Sequence, residues 1–332
     1  MEPHSSKESM PRTLLRPLVS PVLRTCYGLL NRNLRGLIGG IPGALPVYHR
    51  FVRPLMFPPQ VEPGLVLVRF PDFSMLMEVG MLPGEVSIGK LWDWEPATTF
   101  VFRELVRPGD VVIDVGANLG YFTALAATLC GPQGKVFAFE PHPKTSKLLS
   151  KNIAANKLAN VVIVQKAVSD QSSTANLFLA TRSDQHSMIH EPLELKPEGA
   201  RVGKPITVDT ITLDEFLGDL EIGPRLLKMD IEGAEPLALR GAEQLISQNP
   251  EMAIILELNT QYLNADAAGD LLKKLASYGF KFMVVDDEAD QIASASCAEL
   301  MQRFLSLGKW KLLNLFCARD EGVIARMLKS RA

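Results

Sequence analysis

The sequence predicts an α/β protein built on an open, mostly parallel sheet. Three observations carry that expectation. Beyond Arg107, short β-branched runs alternate with amphipathic stretches of ten or more residues, the pattern of βαβ units. The run Val111-Val112-Ile113-Asp114-Val115-Gly116 reads as a buried strand entering a tight glycine turn. About one βα unit later, Phe137-Ala138-Phe139-Glu140-Pro141 reads as a second strand ending in a carboxylate.

Taken in order, strands are expected at 111–115, 135–139, 161–165, 225–229, 252–257, 281–285 and 311–317, and helices at 119–130, 144–157, 235–248 and 265–278. A long insertion separates the third and fourth strands. Within it, Ala175–Ala180 and Ile206–Ile211 look like two further strands around a polar loop, 181–205, in the position of a lid. Residues 1–90 differ in texture. Pro42-Gly43, Pro58-Pro59, Pro63-Gly64 and Pro83-Gly84 punctuate them, so an irregular N-terminal extension precedes a main domain at 91–332.

Bulk properties narrow the function classes. The 332 residues are 47% hydrophobic and 22% charged with a net charge of -2, ordinary for a globular chain able to bury a large core. Nothing in that balance favours nucleic acid. Residues 1–60 carry Lys7, Arg12, Arg16, Arg24, Arg32, Arg35, Arg50 and Arg53 against Glu2 and Glu8, which leaves the rest acidic. The Arg-spaced stretch from Leu14 to Ile38 suits peripheral contact with an anionic membrane or, alternatively, a basic helix packed on the main domain; Pro17 and Pro21 interrupt its periodicity. Cys26, Cys130, Cys297 and Cys317 form no C-x-x-C pair, so a reducing cytoplasm is expected, with neither a disulfide scaffold nor a zinc knuckle. No apolar run reaches the ~18 residues of a membrane span.

The glycine turn and the acid after the second strand describe a nucleoside site. Gly116 and Gly120 let the backbone turn sharply, and Asp114 faces the crevice at the carboxyl end of its strand. A carboxylate there suits a cation such as an ammonium group and would repel a pyrophosphate; the G-x-G-x-x-G turn of dinucleotide binders is absent. Glu140 is placed to accept two hydrogen bonds from a ribose diol.

Together with Asn152–Asn156, Ala167-Val168-Ser169-Asp170, Leu213-Asp214-Glu215-Phe216 and Leu227-Lys228-Met229-Asp230-Ile231-Glu232-Gly233-Ala234-Glu235, these motifs resemble the FkbM-type family of S-adenosylmethionine-dependent methyltransferases. The likeness covers roughly residues 90–260. It implies the Class I methyltransferase fold, a Rossmann-like sheet of seven strands with the last antiparallel, and methylation of a hydroxyl on a sugar, glycan or natural-product-like molecule. By motif position, Asp114, Gly116, Asn118 and Gly120 would surround the methionine part of the cofactor, Glu140 the ribose and Ala167 the adenine.

Methyl transfer to an alcohol needs alignment, exclusion of water and a group that takes the hydroxyl proton. Asp230 and Glu232, at the end of the fourth strand, and His186, in the insertion, are the candidate catalytic groups; capping of the following helix or binding of Lys228 is the bland alternative for the two acids. His190 and Glu257 are secondary candidates, and His142 reads as structural. Asp230, Glu257 and Asn259 would make an oxygen set for Mg²⁺, but no metal is expected. Two other readings keep the fold: a nicotinamide-dependent dehydrogenase, which lacks its turn here, and a non-catalytic binding module, which has no need of intact site residues.

Overall fold

The computed structural model describes residues 60–62, 65–78, 94–180, 186–189, 204–218, 223–307 and 311–329. The basic stretch 14–38, His190 and most of the insertion loop lie outside them. The chain divides into two units, Met1–Val68 with Glu78–Trp92, and Arg69–Met77 with Asp93–Ala332. In the first, β1 (Gln60–Glu62) pairs antiparallel with β2 (Leu65–Arg69), which ends one residue past the boundary.

The second unit begins with the greater part of β3 (Ser74–Glu78) and continues through α1 (Pro96–Leu105), β4 (Val111–Val115), α2 (Tyr121–Cys130), β5 (Lys135–Phe139), α3 (Pro143–Ala155), β6 (Val161–Val164), β7 (Ala167–Val168), β8 (Thr174–Leu177), β9 (Ile206–Ile211) and α4 (Leu213–Leu217). It closes with β10 (Leu226–Met229), α5 (Glu235–Arg240), α6 (Glu243–Gln248), β11 (Ala253–Asn259), α7 (Ala265–Ser277), β12 (Lys281–Asp286), β13 (Gln291–Ala295), α8 (Cys297–Ser306), β14 (Leu312–Ala318) and α9 (Glu321–Lys329).

The main sheet runs β13-β12-β14-β11-β10-β4-β5-β6. Strands β4, β5, β6, β10 and β11 are mutually parallel, and β14 lies antiparallel between β11 and β12. This is the Class I methyltransferase arrangement, with β13 added at one edge as the return strand of a hairpin from β12. Every residue of β4, β10 and β11 is buried, as expected where helices cover both faces of a parallel sheet. The chain steps from β4 to β5 on one side and returns to β10 on the other, so strand order reverses at β4. A crevice opens at the carboxyl ends of strands around such a reversal.

Two departures have local causes. The helix expected at 235–248 is two helices, because a Cβ on Gly241 would lie 2.0 Å from the Ser169 carbonyl oxygen and the Gly241 carbonyl accepts the Asp214 N–H at 2.9 Å. The chain must pass close to β7 there, and the helix breaks. The inserted pair is three strands: β8 pairs antiparallel with β9, and β7 joins β9 in parallel.

The Asn152–Asn156 motif acquires a physical meaning. One turn apart on α3, Asn152 accepts from Leu76 N–H at 2.7 Å and donates to Leu76 O at 3.1 Å, while Asn156 accepts from Ser74 N–H at 2.9 Å and donates to Ser74 O at 2.6 Å. Two amides thus do the work of a neighbouring strand. Asn152 also donates to Leu119 O at 2.8 Å, tying α3 to the glycine turn. Among the described residues no helix is long and apolar enough to cross a membrane.

Candidate active site

The β4–α2 turn is built around left-handed backbone. Gly116 has φ +81°, and a Cβ there would lie 1.9 Å from the Asp230 carbonyl oxygen, so only glycine lets the two strand ends approach. The N–H groups of Gly116 and Ala117 both donate to Phe139 O at 3.0 Å, clamping the turn to the end of β5. Asn118 also adopts positive φ, at 48°, and its N–H donates to Glu140 Oε2 at 3.0 Å. Gly120 has a different reason: it precedes α2, and a side chain would strike Leu149 of α3 at 2.3 Å.

Asp114 is 1% exposed. Its Oδ2 accepts from Thr123 Oγ1 at 2.6 Å, whereas Oδ1 is buried without a partner among the described residues. Burial pushes its pKa up, against the pull of Lys228 and the Thr123 hydroxyl. An unmatched buried carboxylate oxygen is costly, and a cationic ligand nearby would relieve that cost. Glu140 uses both oxygens, Oε1 accepting from His142 N–H at 2.9 Å and Oε2 from Asn118 N–H. Burial nevertheless raises its carboxyl to about 7.

The second turn follows β10. Lys228, in register with Asp114, is buried at 5.0 Å from the Phe122 ring centre and binds Asp230 Oδ2 at 2.9 Å. Burial alone would lower its pKa; the carboxylates of Asp230, Asp114 and Glu95 outweigh that and raise it. The Asp230 side chain is 34% exposed. Glu232 has φ +53°, its Oε2 accepts from Asn259 Nδ2 at 2.8 Å, and its carbonyl accepts from Ser187 Oγ at 2.7 Å. Glu235 is 1% exposed, accepts the Ile231 N–H at 2.9 Å, and is raised to about 7 by burial. Burial, Asp230 and Glu235 together lift Glu257 well above the carboxylate range, against the bond from Asn259 Nδ2 at 3.1 Å.

A cleft joins the two turns. Gly116, Asn118, Glu140, Ala167, His186, Asp230 and Glu232 line it, together with Phe139, Pro141, Lys166 and Ile231 from the sheet side and Leu177 and Met188 from the insertion. Of the sequence-derived site residues, Asp114 and Gly120 stand outside the lining. The imidazole of His186 meets that of His142 edge to face at 4.6 Å, and its Nδ1 accepts from Ala180 N–H at 3.1 Å. Among the described residues no three His, Cys, Asp or Glu side chains converge as a metal-holding group.

Glu235 and Glu95 escaped the sequence reading, whereas pairing with Lys228 was the bland alternative for the two acids and is what Asp230 does. Lys228 left a signal, a charge within an otherwise apolar strand. Glu95, left-handed at φ 45° just before α1, is raised to about 8 by burial and by Asp230, with Lys228 and the Trp94 indole opposing. Nothing in its Pro- and Trp-flanked context announces that role.

A family model for the Methyltransferase FkbM domain matches residues 114–282. The 31-O-demethyl-FK506 methyltransferase FkbM of Streptomyces tacrolimicus is 28% identical over 250 residues, covering 64% of this chain and 93% of its own length. The hexuronic acid methyltransferase AglP of Haloferax volcanii is 29% identical over 139 residues, 42% of this chain and 52% of that one. Among solved structures, methyltransferase FkbM from Methylobacillus flagellatus KT aligns with a TM-score of 0.39 at 15% identity, over 67% of this chain and 51% of that chain.

Proposed function

The chain belongs to the methyltransferase FkbM domain family of S-adenosylmethionine-dependent enzymes, and on that premise we propose that it methylates a hydroxyl of a sugar, glycan or natural-product-like small molecule. The observation that carries the reading is the single cleft shared by Gly116, Asn118, Glu140 and Ala167 on one side and Asp230 and Glu232 on the other.

The cofactor supplies an electrophilic methyl group on a sulfonium. Gly116 and Asn118 would hold its methionine end, with the unmatched Oδ1 of Asp114 suited to a cationic group, Glu140 would receive the ribose hydroxyls, and Ala167 would border the adenine. Gly120 contributes by holding α2 against α3 rather than by touching ligand. The acceptor hydroxyl donates to Asp230 or Glu232, and its proton passes to that carboxylate as the oxygen attacks. Lys228 keeps Asp230 aimed by their ion pair, and Asn259 does the same for Glu232. The carboxylate-rich mouth favours a neutral, hydrogen-bond-donating acceptor over an anionic one.

Calorimetric titration with S-adenosylhomocysteine tests the cofactor half. Micromolar binding by the full chain, lost in the Asp114→Ala, Glu140→Ala double variant, is the expected result; no binding, or binding of NAD in its place, overturns it. Labelled methyl transfer to a panel of polyols, glycosides, amines and uronic acids tests the acceptor half. An alkali-stable methyl ether is expected, and exclusive N-methyl or alkali-labile ester products would refute hydroxyl transfer.

A further inference from the structure

We propose that His186 reads the adenine of the cofactor as a neutral donor, its Nε2–H bonding to a ring nitrogen, and takes no proton from the acceptor. The assignment rests on the cofactor reading above and gives a residue of the insertion a specificity role in place of a catalytic one.

The hydrogen-bond pattern sets the tautomer. Ala180 N–H donates to Nδ1 at 3.1 Å, so Nδ1 carries a lone pair, and a neutral imidazole then bears its one proton on Nε2. With the Nδ1 lone pair engaged and Nε2 protonated, the ring has nothing with which to accept a hydroxyl proton. It has one donor to offer, and among the described residues nothing takes it. Burial and the neighbouring His142 push its pKa down to about 4, so it stays neutral at ordinary pH.

Position points to the base of the cofactor. His186 packs on His142 at 4.6 Å with the rings 74° apart, and His142 N–H holds Glu140 Oε1, the carboxylate assigned to the ribose. Ala167 and Lys166, just beyond β6, line the same cleft. Adenine presents unprotonated ring nitrogens along its edges, acceptors that a fixed imidazole N–H can match. The mount is rigid. Ser187 exchanges backbone hydrogen bonds with Phe178 at 2.8 and 3.1 Å, and its hydroxyl donates to Glu232 O. Such a constraint suits recognition, because a pre-set donor discriminates without first being ordered.

The experiment compares S-adenosylhomocysteine with its 1-deaza, 3-deaza and 7-deaza adenine analogues by calorimetry on the full chain. His186→Asn retains an acceptor at the Nδ1 position but has no group at Nε2, whereas His186→Gln places an amide donor near Nε2. One deaza analogue should bind the unaltered protein about 3- to 10-fold more weakly than the parent, the size of a single neutral hydrogen bond. That discrimination should vanish in His186→Asn and survive in His186→Gln. Nitrogen-15 spectra of labelled histidine should show the Nε2–H tautomer unchanged between pH 5.5 and 8. Equal binding of all analogues by the unaltered protein, undiminished discrimination in His186→Asn, or an imidazolium at neutral pH would each overturn the assignment while leaving the cofactor reading intact; failure of the unaltered protein to bind S-adenosylhomocysteine would remove both.

Discussion

Two turns at adjacent, parallel strand ends each carry an aspartate and left-handed residues, and end in different electrostatic states. Asp114 belongs to β4 and Asp230 is the first residue past β10; both turns contain non-glycine and glycine residues at positive φ, Asn118 and Gly116 in one and Glu232 and Gly233 in the other. Asp114 lies within its strand, is 1% exposed and keeps one oxygen unmatched. Asp230, one step beyond its strand, has a side chain 34% exposed and ion-paired with Lys228. Two residues of register separate the buried carboxylate from the accessible one. The two turns also touch, through Gly116 and the Asp230 carbonyl, so neither can shift without the other.

The sharpest way to break this comparison is to neutralise each aspartate in turn. Asp230→Asn should lower methyl transfer by about 10²- to 10⁴-fold, the usual contribution of a general base. Its S-adenosylhomocysteine affinity should change by no more than about threefold, within the scatter of a lost exposed charge. Asp114→Asn should instead weaken cofactor binding. Equal loss of affinity in both variants, read by calorimetry, would mean that the turns do not divide the labour.

The contact between the turns is tested next. Gly116→Ala combines a left-handed φ with a Cβ 1.9 Å from the Asp230 carbonyl oxygen. It should cost roughly 3–5 kcal/mol in denaturant unfolding and disturb both turns together. Gly131→Ala, at φ +65° with nothing within 4 Å of its Cβ, isolates the backbone effect and should cost only about 1–2 kcal/mol. Similar losses at both glycines would show that packing between the turns contributes little.

The last effect concerns pH. Glu235 holds the β10–α5 turn through Ile231 N–H, and burial raises its carboxyl from 4.5 to about 7. A carboxyl raised on folding keeps a proton that the unfolded chain gives up, so stability is greatest below about pH 4.5 and falls as pH rises towards 7. The loss integrates to something on the order of 3 kcal/mol. Glu235→Gln should remove this slope and be the more stable protein at pH 8. Parallel Tm profiles for the two proteins from pH 5 to 8 would refute the burial argument.

Legibility followed the range of the interactions. The strands at 111–115 and 135–139 were readable to the residue because a continuous apolar run bounded by Gly, Pro or Asp is a local signal. Helix α8 was readable and missed: Ser296 and Glu299 form a capping box, the S-x-x-E signature that precedes a helix. The strand β13 has only Ile292 and Ala295 buried and offers little pattern of any kind. Gly241 could not be read as a helix break, since its reason is a carbonyl some seventy residues away in β7's wake. The candidate site divided in the same way, with Gly116, Asn118, Glu140, Asp230, Glu232 and the pairing of an acid with Lys228 visible through their strand ends, and Glu95, Glu235 and the burial of Lys228 invisible.

By itself the sequence determined the order of βα units, the glycine turn after β4, the acids that end β4, β5 and β10, and membership of a methyltransferase family. Each depends on residues within a few positions of one another. Tertiary structure alone decided which aspartate is buried, which nitrogen of His186 meets the Ala180 N–H, and that Ser187 of the insertion fastens onto the Glu232 carbonyl. Burial and protonation are set by neighbours that the fold, not the chain order, brings within a few ångströms.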